Sequence, residues 1–390
     1  MSKKRFFIIS GAALLIVAAL AAWIVISNLG LKTVDNEYLM TLPGEWEGAK
    51  DFSEGLAAVK IDGKWGYIDT EGNLVVKAIY DGAYNYSEGL AAVRKDGRWG
   101  YIDKEGNIVI AFQFDTTYAF SEGMAVYGQG NYYGYINNKG EKVIPADYSE
   151  ATSFREGVAC VKKNSSYGFI DKNGNAVTEI TYGASSKVSE GLIAVFSDAG
   201  VEALKSGFID TAGKVVLEPA WYDVKPFSQG LAAAQKEAFT TPWGFIDREG
   251  KTVIEGDWDF VESFAGDRAV VHDQTGYYFI DMTGKTVSKA YGKAYSFTPA
   301  GLARVATANG AAWNFGFIDK NGNEVIGLRY EGARDFYNGA AAVKDGGDWG
   351  FVKADGTELC DFLWDETGDF SEEGIARIQN GDVHGFVKLK

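Results

Sequence analysis

Apolar and polar positions alternate with period two along many short runs of this chain, the pattern of extended strands rather than helices. In "GKWGYIDTEGN" (63–73) the alternation sets Trp65, Tyr67 and Asp69 on one face and Gly66 with Ile68 on the other. The same run returns as "GRWGYIDKEGN" at 97–107, 34 residues on from Gly66 to Gly100. Aligned copies place the small residue at Gly66, Gly100, Gly134, Gly168, Gly207, Gly244, Gly316, Gly350 and Gly385, with Tyr278 replacing it once, which makes ten. The following position is always aromatic, from Tyr67 to Phe386, and the next is always Ile or Val.

Turn chemistry brackets each of these strands. Asp69 and Gly72 begin a D-x-x-G series that runs to Lys353 and Gly356, and a glycine at that spacing closes a tight reversal. A further strand follows, carrying Val75, Val109, Val143 and their counterparts at one offset and an aromatic such as Tyr80 or Phe114 near its end. Six residues later comes a corner, "FSEG" at 52–55 and 120–123 with variants elsewhere, and then "LAAV". Each unit therefore predicts three short antiparallel strands, and the whole predicts an all-β array whose units share one core. The WG glycine is expected to make room for the adjoining unit.

The two ends of the array complement one another. The last unit lacks its third strand, whereas Trp46 precedes Phe52 by the same offset as Tyr80 precedes Tyr86, so an orphan third strand is expected around Met40 to Trp46. A β-propeller-like ring uses such a strand to complete its final blade. A superhelical β-solenoid is the alternative.

Composition agrees with many strands and tight turns: 49 Gly against 6 Pro, with 24 Phe and 21 Tyr. A net charge of −15 argues against a nucleic-acid partner, which would require clustered cations. Cys160 and Cys360, the only cysteines, sit in apolar strand-like runs and make no disulfide framework.

The N-terminus differs from the rest. Lys3, Lys4 and Arg5 form a basic tail (1–5) before an uncharged run from Phe6 to Ser27, long enough to cross a bilayer as one signal-anchor helix. Positive residues remain inside, so residues 28–38 are expected as a short polar linker and 39–390 as an extracytoplasmic β domain. A cleaved signal peptide, with Ala19-Leu20-Ala21 as its site, is the rival reading.

"KWGYID" and "RWGYID" within a unit of this length resemble the WG-containing repeat, also called the KWG repeat, over about residues 45–390. The resemblance implies a bacterial, often envelope-associated interaction or structural module without general enzymatic activity. The unit also resembles, less closely, choline- and glucan-binding repeats, which hold a quaternary ammonium or a sugar on exposed aromatics.

Chemistry is sparse. His272 and His384 are the only histidines, and they form no nucleophilic or metal-binding grouping with their neighbours in the alignment. "DKNGN" at 171–175 and 319–323 has the start of a calcium loop, but position 12 from Asp171 is Tyr182, and the D-x-x-G turn accounts for the residues. The corner glutamates Glu54, Glu88, Glu122, Glu156 and Glu190 would form a row if units stack in register, where a weak cation could bind. No catalytic, cofactor or metal residue is assigned.

Length variation is the better pointer to recognition. The corner glycine precedes the WG glycine by 11 residues in the first four and last two units, but by 16 from Gly191 to Gly207, 14 from Gly230 to Gly244 and 15 from Gly301 to Gly316. The added stretches, "DAGVEALK" (198–205), "KEAFTTP" (236–242) and "TANGAAWN" (307–314), are expected on one edge, with Phe239 and Trp313 as binding-loop residues. The sequence thus predicts a single-pass, membrane-anchored, non-catalytic module that binds a protein or glycan of the cell envelope. A sugar- or choline-binding module built on aromatic pockets is the alternative.

Overall fold

The computed structural model describes residues 30–178, 185–197, 205–237 and 242–390. They form ten small antiparallel sheets and, among the described residues, no helix. The expected membrane helix at 6–27 lies outside the described residues, and no described helix is long and apolar enough to cross a membrane.

The first complete blade shows the plan. Strands β2 (Gly48–Ala49), β3 (Leu56–Ile61), β4 (Lys64–Asp69) and β5 (Leu74–Tyr80) follow one another as a meander. The sequence predicts three strands per unit; the structure adds a fourth, β2, so short that 34 residues suffice. Asp62 and Gly63 reverse β3 into β4 with φ of 48° and 75°, the two left-handed residues of a two-residue hairpin. Among the described residues, the sheets of the fourth, seventh and ninth blades have three strands, and isolated bridges such as Trp349 with Trp364 stand where the outer one would be.

The ring closes. Strand β1 (Leu39–Thr41) pairs with the last strand of the chain, Leu39 opposite Leu389 and Thr41 opposite Val387, and a bridge joins Trp46 to His384. The orphan strand expected near the N-terminus is therefore the outer strand of the tenth blade, and the closed ring replaces the solenoid alternative. Phe52 of the first blade packs on Phe386 of the tenth at 4.9 Å, and the Gly55 amide donates to Glu373 Oε1 at 2.6 Å. Residues 30–38 are not a free linker: Leu31 is buried, the Lys32 amide donates to Asn380 Oδ1, and the Trp364 indole donates to the Lys32 carbonyl.

Aromatic pairs join blade to blade. The WG-strand ring of one blade meets the corner ring of the next at 4.7 to 5.0 Å, from Tyr67 with Tyr86 through Phe279 with Phe297 to Phe351 with Phe370. Each such pair adds about 0.5–1.5 kcal/mol beyond its buried area. Tyr67, Tyr101 and Tyr135 also donate their hydroxyls to the next blade's inner strand, at the carbonyls of Tyr84, Tyr118 and Thr152.

The WG glycine has a different cause from the one expected. Trp65 lies opposite Tyr80 and Tyr67 opposite Val76, so two residues of β4 face four of β5, which bulges. The bulge lays β5 backbone onto Gly66, where a Cβ would come within 2.5 Å of the Val76 carbonyl oxygen. The crowding element is thus the same blade's outer strand, not the adjoining unit. The tryptophan reaches the other way across its blade: the Trp65 ring lies on Gly48 of β2, and Trp99 and Trp349 lie likewise on Gly82 and Gly332.

Candidate binding channel

Adjacent blades approach most closely at their short inner strands and corners, while the outer strands leave Leu74, Val75, Ile108 and Val109 exposed. The inner strands therefore face the ring axis. Their alternation buries one column against the blades, with Ala83, Thr117, Val224, Val261 and Thr367 at 5% exposure or less. The corner aromatics are buried as well. Between them, two positions per blade are left for the channel wall, and these change from blade to blade: Lys50-Asp51, Tyr84-Asn85, Tyr118-Ala119, Glu262-Ser263, Tyr295-Ser296, Arg334-Asp335.

Two clefts open on this wall. One, of about 690 Å³, spans the seventh to ninth blades and is lined by Phe260, Glu262, Tyr277, Tyr295, Asp335 and Tyr337, among others. Behind it the Arg304 guanidinium lies 3.7 Å from the Tyr295 ring centre and 3.0 Å from Asp335 Oδ1. The other, of about 570 Å³, straddles the closure of the ring and is lined by Ala49, Lys50, Asp51, Tyr84, Asn85, Tyr86, Ala119 and Arg377. Between the two clefts, burial pushes the Asp369 carboxyl above its ordinary pKa, and Arg334 only partly opposes this.

On one edge of the ring the corner glutamates form the row that the sequence implies. Glu54, Glu88, Glu122 and Glu156 accept from the amides of Gly89, Gly123, Gly157 and Gly191 in the following blades, at 2.7 to 3.0 Å. Lys104, Lys172 and Arg248 add ion pairs to Glu54, Glu122 and Glu190. These carboxylates thus serve as staples between blades. In "DKNGN", Asp171 Oδ1 accepts from the amides of Asn173 and Asn175, and its Oδ2 accepts from the Asn175 side chain, which is the turn reading. Among the described residues no group of three His, Cys, Asp or Glu is placed to hold a metal.

Of the two binding-loop residues picked from sequence, Phe239 lies outside the described residues. Trp313 stands near the tip of a hairpin formed by Leu302–Asn309 and Ala312–Asp319. It is half-buried, folded against Gly292, with Lys293 Nζ 4.3 Å from its ring centre. Most of "DAGVEALK" and "KEAFTTP" also lies outside the described residues. His272 Nδ1 meets Asp259 Oδ1 at 2.6 Å at the margin of the ring, and burial lowers the pKa of His384. Cys160 is buried and Cys360 half-buried, and the two are not joined in a disulfide. The sequence reading missed the channel column; its signal was the variable pair just before each corner aromatic.

A closed ten-bladed β-propeller with a varied axial wall is the class of protein that fold and site define. The chain belongs to the WG-containing repeat family, whose model matches nine segments: 40–65, 65–99, 99–133, 133–166, 167–198, 207–238, 243–272, 315–347 and 349–383. No curated protein matches it. Solved structures similar to it include PorZ, a surface component of the type-IX secretion system of Porphyromonas gingivalis (13% identity, TM-score 0.26), of which 88% of this chain covers 57%. The extracellular domain of a putative one-component system from B. thetaiotaomicron is 10% identical, with a TM-score of 0.28 and coverage of 88% of this chain and 63% of that one. Hsv2p of Kluyveromyces lactis is 9% identical, with a TM-score of 0.30 and coverage of 79% and 96%. The chain spans less than two thirds of the first two.

Proposed function

We propose that this protein is a membrane-anchored, extracytoplasmic, non-catalytic binding ring of the cell envelope, with a protein as its partner. The observation that carries this reading is the division of labour within each blade. Side chains shared by the blades are spent on the core and the staples, whereas those that differ line the channel and the lengthened hairpins. A rigid frame with a varied wall is the arrangement of a recognition surface. Support for the anchor is the uncharged run 6–27 behind Lys3, Lys4 and Arg5, with the ring beginning at Leu31, directly after it. Against the aromatic-pocket alternative speaks the full burial of the WG-strand rings Tyr67, Tyr101, Tyr135 and Phe208.

The test is to fractionate cells expressing the full chain and then capture partners from envelope extract on the detergent-solubilised protein. The expected outcome is a chain that stays with the membrane and retains a defined envelope protein, with capture weakened by Trp313→Ala. Release of the chain without detergent would overturn the anchor. Capture of nothing by a folded ring would overturn the binding role.

A further inference from the structure

The cleft at the ring closure holds a cation in an unusual position. Lys50 is half-buried, with Nζ 4.8 Å from the Tyr84 ring centre and 5.8 Å from that of Trp65. Tyr84 in turn stacks on Trp99 at 4.9 Å, so the rings fix where the ammonium stands. Among the described residues no carboxylate pairs with it. Its neighbour Asp51 faces Arg377 instead, Oδ1 to Nε at 3.5 Å, across the junction of the first and tenth blades.

The same cleft presents acceptors. Asn85 Oδ1 is buried without a hydrogen-bond partner, and Asp51 remains more than half exposed beyond its contact with Arg377. A buried acceptor without a partner costs free energy that an incoming N–H recovers. The small side chains of Ala49 and Ala119 leave room between these polar groups.

We propose that this cleft captures the C-terminal carboxylate of a polypeptide, with the tail lying in the channel. The carboxylate meets Lys50 and Arg377, and the last peptide N–H groups donate to Asn85 Oδ1 and Asp51. Lys50 and Arg377 against Asp51 leave the cleft with one net positive charge in a chain of net charge −15. A single terminal carboxylate matches that spot, whereas a run of acidic residues would be repelled by the rest of the ring. This inference rests on the protein-binding reading above and specifies how the partner is held.

The experiment titrates the full chain in detergent micelles with acetyl-tetraalanine as the free acid and as the C-terminal amide, read by calorimetry and by the Lys50 Cε resonance. The free acid is expected to bind roughly tenfold or more tighter than the amide, the size of one charge-assisted hydrogen bond. Lys50→Met, which keeps the stem between the rings, should abolish that preference. Asn85→Asp, a near-isosteric change, should weaken the free acid further by charge repulsion, and an unchanged melting temperature shows that either ring is folded. Equal binding of acid and amide, no binding of either, or a preference that survives Lys50→Met would overturn the proposal. So would binding of glucuronate at Lys50 in place of the peptide, which would assign the cleft to a sugar acid. Retention of an envelope protein through Trp313 with no response to the tetrapeptide would refute this inference while leaving the protein-binding reading intact.

Discussion

The first six blades and the seventh to ninth are built from one repeat, but they are joined differently. From Glu54 to Glu190 each corner carboxylate grips the next blade, and Gln229 continues the series to the Asp267 amide at 3.0 Å. Most of these residues hold a positive φ, 53° at Glu54 and 54° at Glu122, a conformation that costs a side chain about 1 kcal/mol. The bond to the next blade offsets that cost. At the eighth blade the corner reads Phe297-Thr298-Pro299-Ala300-Gly301, and the Gly301 amide bonds back to Thr298. Among the described residues no carboxylate of the eighth blade reaches Gly339, although Asn338 keeps the same φ, 49°. Here the junctions are made by other side chains: Arg268 and Asp267 of the seventh blade reach Lys320 of the eighth, and Arg304 of the eighth reaches Asp335 and the Ala333 carbonyl of the ninth, beside the larger channel cleft. One fold can therefore join its units through a carboxylate-to-amide row over part of its circle and through arginine and lysine contacts where the cleft opens.

Breaking the blades themselves should have the largest effect. Gly66→Ala drives a Cβ against β5 backbone and is expected to cost about 1–3 kcal/mol or more in denaturant unfolding. Gly350→Ala, in the ninth blade, meets the movable Phe362 ring at 3.1 Å and should cost clearly less. Equal losses would show that the missing outer strand makes no difference.

Glu122→Asn keeps a residue that tolerates positive φ but is too short to reach Gly157, and should cost about 1 kcal/mol. It should make the boundary of the third and fourth blades behave like that of the eighth and ninth, which faster amide exchange at Gly157 would reveal.

Acid should act in the same direction. Burial alone would raise the Glu122 carboxyl, but the Gly157 amide and the Lys172 ammonium outweigh it and hold its pKa below the ordinary range. At Glu373 burial is likewise outweighed, by the polar surroundings at Ser371 and by the hydrogen bond from the Gly55 amide. A depressed folded-state pKa gives stability that is complete above the unfolded value, about 4.3, and is lost as pH falls through the lower folded value. Acid unfolding should therefore loosen the stapled arc and the closure before it affects contacts at the eighth blade. Loss in the reverse order would contradict the staple.

The smallest effect is local. The Gly89, Gly123 and Gly157 amides should exchange more slowly than that of Gly339, measured by hydrogen exchange near neutral pH.

Much of this molecule was legible in the chain. Alternation in "KWGYID" and the D-x-x-G spacing were enough to derive strands and turns, and the offset from Trp46 to Phe52 pointed to a ring completed by its N-terminus without excluding a solenoid, because strand period, turn stereochemistry and repeat phase are local properties. The row of corner glutamates followed from the same phase. The reason for the WG glycine was not legible, since the bulge of β5 depends on how two strands pair, and pairing register leaves no mark on Gly66 itself. Nor was the channel wall: Lys50 and Arg377 stand 327 positions apart in sequence, and only closure of the ring puts them beside one cleft. Sequence determined the blade and its count; the tertiary structure decided which blades are stapled and which side chains meet at the axis, because those contacts arise between units whose order of approach is set only when the circle is complete.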